Sequence, residues 1–116
     1  MLFRSIQQGY LSSEPFEIAR TGVKPVVMLL ADSGYASYAS LIMASRKFAA
    51  DKPDVVRKFI AASIAGWRSY LDGDPSPANA LIKRDNPDMS DALLAFGREQ
   101  IKAHDIVGDQ IGRAHV

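Results

Sequence analysis

Residues 25–31 read PVVMLLA, a continuous apolar run with β-branched members, halted by Asp32-Ser33-Gly34. A run of that length, apolar at every position, reads as a strand buried on both faces, the kind found inside parallel sheets. Such a strand needs hydrogen-bonded neighbours along both edges and helices over both faces, which dictates an α/β layout. The chain offers one further strand candidate, the short run Leu41-Ile42-Met43-Ala44. Everything after it reads as helix. One or two strands cannot cover the apolar faces of four helices, so the expected fold is part of an α/β domain whose remaining strands lie outside this chain.

The helical segments are marked by their ends. Ser12-Ser13-Glu14-Pro15 combines hydroxyl caps, an acid for the first turn and a proline whose missing N–H costs nothing there. It predicts a short helix over 15–20, closed by Gly22 at positive φ. Pro53 opens a long helix to about Leu71, with Val56, Phe59, Ile60, Ile64, Trp67 and Leu71 three or four apart on one face. That spacing makes Trp67 a core residue. Asp72-Gly73-Asp74-Pro75 stops this helix and caps the next, over 77–84. Asp85-Asn86-Pro87-Asp88 breaks again, and Ser90 caps a last helix to about Ala103, with Leu94, Gly97 and Ile101 on a common stripe.

Composition excludes more than it selects. Of 116 residues, 14 are basic and 13 acidic, giving a formal net charge of +1 and no electrostatic footprint for nucleic acid or an anionic membrane. The absence of cysteine removes thiolate zinc sites, disulfides, iron–sulfur clusters and cysteine nucleophiles together. No apolar run approaches the ~20 residues that span a bilayer. No phosphate-binding glycine loop, nucleophile elbow or paired-histidine metal motif occurs. The acid pairs Glu14/Glu17 and Asp72/Asp74 have no partner nucleophile in sequence, so no catalytic residue is expected. Neither a cofactor nor a metal is expected.

The ends read as foreign to the rest. Leu2-Phe3-Arg4-Ser5 and Ile111-Gly112-Arg113-Ala114-His115-Val116 resemble translated sequencing-adapter ends, so residues 1–5 and 110–116 are set aside as non-native and residues 6–109 are expected to be cut from a longer gene. His104 is then the one histidine left. The lack of a visible signal peptide carries no information on such a segment.

Several motifs together match a known family. Gln7-Gln8-Gly9-Tyr10 followed by Ser13-Glu14-Pro15-Phe16 resembles the "QGY…SEPF" signature of solute-binding proteins for thiamine pyrimidine precursors, bacterial relatives of the fungal pyrimidine-synthesising thiamine enzymes. The likeness continues through Gly34-Tyr35 and Tyr38, then Lys52-Pro53-Asp54-Val55-Val56, Ala65-Gly66-Trp67, Tyr70, Asp74-Pro75 and Asn86-Pro87. It covers nearly all of residues 6–109 and extends to the nitrate- and sulfonate-binding sister groups. The resemblance implies a partial type II periplasmic-binding-protein fold, in which two α/β lobes close about a hinge. This chain would be its C-terminal part, with a hinge crossing near residues 32–40. It further implies a periplasmic or lipid-anchored protein that delivers a small heterocycle to an ABC transporter permease, touching the membrane only through that complex.

Glu14 is the first candidate ligand contact, because a carboxylate accepts strongly from the N–H groups of an aminopyrimidine. Its competing role is an acid placed to favour a helix dipole, worth about 0.3–1 kcal/mol. Tyr10, Tyr35 and Tyr38 offer rings to stack on a flat heterocycle, against the alternative of rings resting on the surface with their hydroxyls in water. Ser13 could hydrogen-bond a ligand or only cap a helix, and the same choice holds for Ser12 and Ser33. His104 reads as a helix-terminus residue, and Arg57-Lys58 and Lys83-Arg84 as solvated charges. Two other classes stay open: an enzyme sharing the family's fold, and a self-contained helical interaction module. The fungal enzymes carry a cysteine-rich motif that this chain lacks.

Overall fold

The computed structural model describes residues 5–35 and 40–107. Five α-helices account for most of them: α1 Glu14–Arg20, α2 Arg46–Asp51, α3 Pro53–Asp72, α4 Ser76–Asp85 and α5 Asp91–Ala103. They fall into two units, one of residues 5–27 and 76–107, the other of 28–35 and 40–75.

The expected α/β fold is not what forms. Among the described residues there is no strand, and hence no partial sheet of the type II binding-protein kind. The PVVMLLA run stays irregular up to Leu29 and then tightens into a 3-10 turn, Leu30–Ser33, which ends on Gly34 at φ 85°. Its side chains are not buried: Val26 is 85% exposed. The second candidate, Leu41 to Ala44, is likewise irregular and exposed. The physical reason lies in what a strand requires. Helices satisfy their backbone groups locally, whereas a strand acquires its hydrogen bonds only from a neighbour. No described segment pairs with either run, so apolar β-branched composition alone leaves them unpaired.

The helices follow their local signals. α1 has proline at its second position, acids Glu14 and Glu17 in the first turn and Arg20 in the last, where they complement the helix dipole. It is closed beyond Thr21 by Gly22 at φ 82°, as the sequence predicts. α5 begins at Ser90, whose Oγ accepts from the Leu93 amide at 3.1 Å, and ends at His104 in the C-cap position. α2 was not anticipated. Ser45 caps it through the Phe48 amide at 3.1 Å, and Pro53 begins α3 only one residue after Lys52, which ends α2 and precedes α3 at once.

In the first unit α1 packs against α5. Phe16 and Phe96 meet with ring centroids 5.3 Å apart at 38°, and Leu93, Leu94 and Gly97 form the buried side of α5. Lys83 of α4 reaches Asp91 of α5 at 2.5 Å, but both side chains are solvated, so the pair contributes little. In the second unit α2 packs on α3. Along α3 only Leu71 is buried. Trp67, expected in the core, is 40% exposed and meets Tyr70 edge-on at 6.4 Å. The spacing of the α3 stripe is right, but the described residues provide no partner layer wide enough to cover it. No helix among the described residues is long and apolar enough to cross a membrane.

Candidate functional site

The segment between Gly9 and Glu14 is a turn folded on one carboxylate. The carbonyl of Tyr10 accepts from the amides of Ser13 at 3.1 Å and Glu14 at 3.2 Å, which winds residues 11–13 directly into α1. The Glu14 side chain then reaches backward. Its Oε2 accepts from the Tyr10 amide at 2.8 Å and from the Ser13 hydroxyl. This resembles the return arm of a capping box, in which an acid early in a helix satisfies an amide ahead of it. Ser13 donates to Glu14 and makes no side-chain cap to the helix, so its expected role as a plain N-cap is not the one it plays.

These bonds favour the charged form of Glu14. The Ser13 hydroxyl holds its carboxyl below the usual carboxylate range; desolvation opposes this, and the Tyr10 amide and the backbone at Glu14 itself add to it. A depressed folded-state pKa contributes stability above the ordinary range, lost as pH falls through the lowered value. Glu14 should therefore titrate below an ordinary glutamate in a carboxyl-carbon NMR titration, and Ser13→Ala should move it upward toward the ordinary value. An unchanged midpoint in the variant would remove Ser13 as the cause.

Two glycines let this turn sit where it does, and neither was singled out as functional from sequence. A Cβ on Gly9 would lie 2.6 Å from Cγ and 2.8 Å from Cβ of Glu14. A Cβ on Gly97, in the middle of α5, would lie 2.9 Å from the carbonyl oxygen of Ser12. The turn thus rests on α5 at a position where any side chain would have to displace the turn's own backbone. An isolated glycine within a helical stripe is the signal that could have found it, since it usually marks close packing.

Of the candidate ligand residues, Tyr10, Ser13 and Glu14 are brought together in this turn. The Tyr10 side chain is free of the core, the residue being 62% exposed. Tyr35 belongs to the second unit, where its amide closes the 3-10 turn onto Leu30 at 3.1 Å and the residue is 65% exposed. Tyr38 lies outside the described residues. Arg57 pairs with Asp54 and Arg84 with Asp85 on solvated faces. Among the described residues no three His, Asp or Glu side chains gather to hold a metal ion.

A family model described as NMT1/THI5 like matches residues 5–78, more than half of the chain. The chain belongs to the NMT1/THI5-like family. Neither the curated proteins nor the solved structures give a match. The NMT1/THI5-like region takes in the Gly9–Glu14 turn, α1, α2, α3 and the first turn of α4. It stops short of α5, so Gly97, which seats the turn, lies outside it. Family membership fits the solute-binding superfamily that the QGY and SEPF motifs resemble, with a small molecule as ligand.

Proposed function

We propose that this NMT1/THI5-like protein is the substrate-capturing component of an ABC importer, taking up a small flat heterocycle such as a thiamine pyrimidine precursor outside the cytoplasm and passing it to the permease. The observation that carries this reading is an exposed Tyr10 whose backbone amide is bound by the Glu14 carboxylate, both within the family region. Tyr10 supplies a face for stacking and Glu14 an acceptor for the ligand's amino group. Ser13 fixes the carboxylate. The protein carries out no chemistry on the ligand.

Charge favours one ligand class of the superfamily over the others in this reading. A carboxylate attracts the N–H donors of an aminopyrimidine and repels nitrate or a sulfonate, whose oxygens only accept. Calorimetric titration of the chain with an aminopyrimidine, nitrate and ethanesulfonate tests the choice. The aminopyrimidine should bind tightest, and Glu14→Gln should weaken it about tenfold or more, the loss expected for a charged hydrogen bond. Tighter binding of nitrate or ethanesulfonate would move the protein to a sister group, and conversion of the pyrimidine to a new product would make it an enzyme.

A further inference from the structure

We propose that Gly9 and Glu14 form a latch whose task is to position Tyr10, so that Gly9 is a positioning residue for ligand binding while touching no ligand. This rests on the reading of the turn as the ligand site. Gly9 does not adopt positive φ, so the need for glycine here is one of space and not of backbone conformation. With no Cβ at Gly9, the stem of Glu14 lies across the residue, at 2.6 to 2.9 Å from where that Cβ would be. From there Oε2 reaches the Tyr10 amide at 2.8 Å while taking the Ser13 hydroxyl. The near atoms are Cβ, Cγ and Cδ of Glu14, not a flexible tip. Any side chain at position 9 must therefore turn the whole stem away and release the amide. Tyr10 is then held at its backbone from two sides, by Glu14 on its N–H and by the Ser13 and Glu14 amides on its carbonyl. Its ring carries no such restraint, and a ring on a fixed backbone loses less freedom on binding than one on a loose loop.

Amide exchange at Tyr10, followed residue by residue by NMR in the ligand-free chain, reads the latch independently of any ligand. Gly9→Ala and Glu14→Ala should each speed Tyr10 exchange about tenfold, as expected for loss of one hydrogen bond to a charged acceptor at an exposed site. Glu14→Gln keeps a carbonyl oxygen at the same reach and should preserve most of the protection. In calorimetry Gly9→Ala should weaken the aminopyrimidine at least fivefold although its carboxylate is intact, because loosening an ordered loop returns its ordering cost to the binding step. Wild-type exchange in Gly9→Ala or Glu14→Ala overturns the latch, as does loss of protection in Glu14→Gln equal to that in Glu14→Ala. A Gly9→Ala chain with fast exchange and undiminished binding overturns the positioning role. If the wild-type chain binds no pyrimidine, the functional reading fails, and the exchange rates still decide whether the latch exists.

Discussion

Leu94→Ala should lower the thermal midpoint of the first unit by roughly 10 °C or more. Leu94 is only 5% exposed, and with Leu71 and Leu93 it makes up the buried apolar set among the described residues. Leucine-to-alanine changes at such positions cost about 2–5 kcal/mol. The low end applies here, since a shallow core next to solvent can relax into part of the space. About 2 kcal/mol is still a large share of the ~5–15 kcal/mol that holds a typical domain together, and each kcal/mol moves the midpoint of a unit this size by about 4–8 °C. Leu81→Ala is the internal control. Leu81 is a leucine on α4 in the same unit but 54% exposed, and its replacement should stay within about 0.5 kcal/mol of wild type. Circular dichroism melts of the two variants measure the difference; equal midpoints would mean that α5 does not bury Leu94 in solution.

Gly97→Val is expected to destabilise the same unit by about 1–3 kcal/mol and to loosen the Gly9–Glu14 turn with it. The sign needs both contributions. Replacing a helical glycine gains up to ~1 kcal/mol in the case of alanine, because the unfolded glycine has more freedom to lose, and less for β-branched valine. Against this stands a Cβ at 2.9 Å from the Ser12 carbonyl, a backbone atom that can move only with the turn. For alanine the two effects come close to cancelling; valine adds two methyl groups to the crowded side while gaining less. The expected signature is a lower midpoint together with faster exchange at Tyr10, although the substitution lies on another helix. A valine variant as stable as wild type would mean that the turn does not rest on α5.

The parts of this structure that the sequence made legible are those determined by neighbours in the chain. Pro15 and Gly22 bracket α1, Pro53 opens α3, and Ser90 caps α5, because caps and prolines act within one turn of helix. The Val26-centred run failed for the opposite reason. Its composition says it would be buried in a sheet, but burial and pairing are properties of partners, and no described residue supplies them. The same gap leaves Trp67 and Phe59 exposed on a stripe whose spacing is otherwise correct. α2 was hidden by its surroundings. The apolar 41–44 run drew attention to a strand, although Ser45 three residues before Phe48 was a cap signal in plain view.

The candidate site was half legible. Glu14, Tyr10 and Ser13 stood out as residue types, and the structure does gather them. What their spacing did not convey is that Glu14 serves its own turn, by accepting the Tyr10 amide and the Ser13 hydroxyl on Oε2. The two readings weighed for Glu14, ligand contact or dipole partner, omitted this third use. Gly9 stood out only as part of the QGY motif, whereas its importance is the room it leaves for another side chain. Close approach across four or five residues depends on rotamers that composition does not reveal.

The most direct test of the account is an amide NMR titration of the wild-type chain with an aminopyrimidine. The account predicts saturable shifts concentrated at Tyr10, Ser13 and Glu14, with nitrate leaving those amides unmoved. Shifts that never saturate, or that gather elsewhere while those three amides stay still, would contradict it.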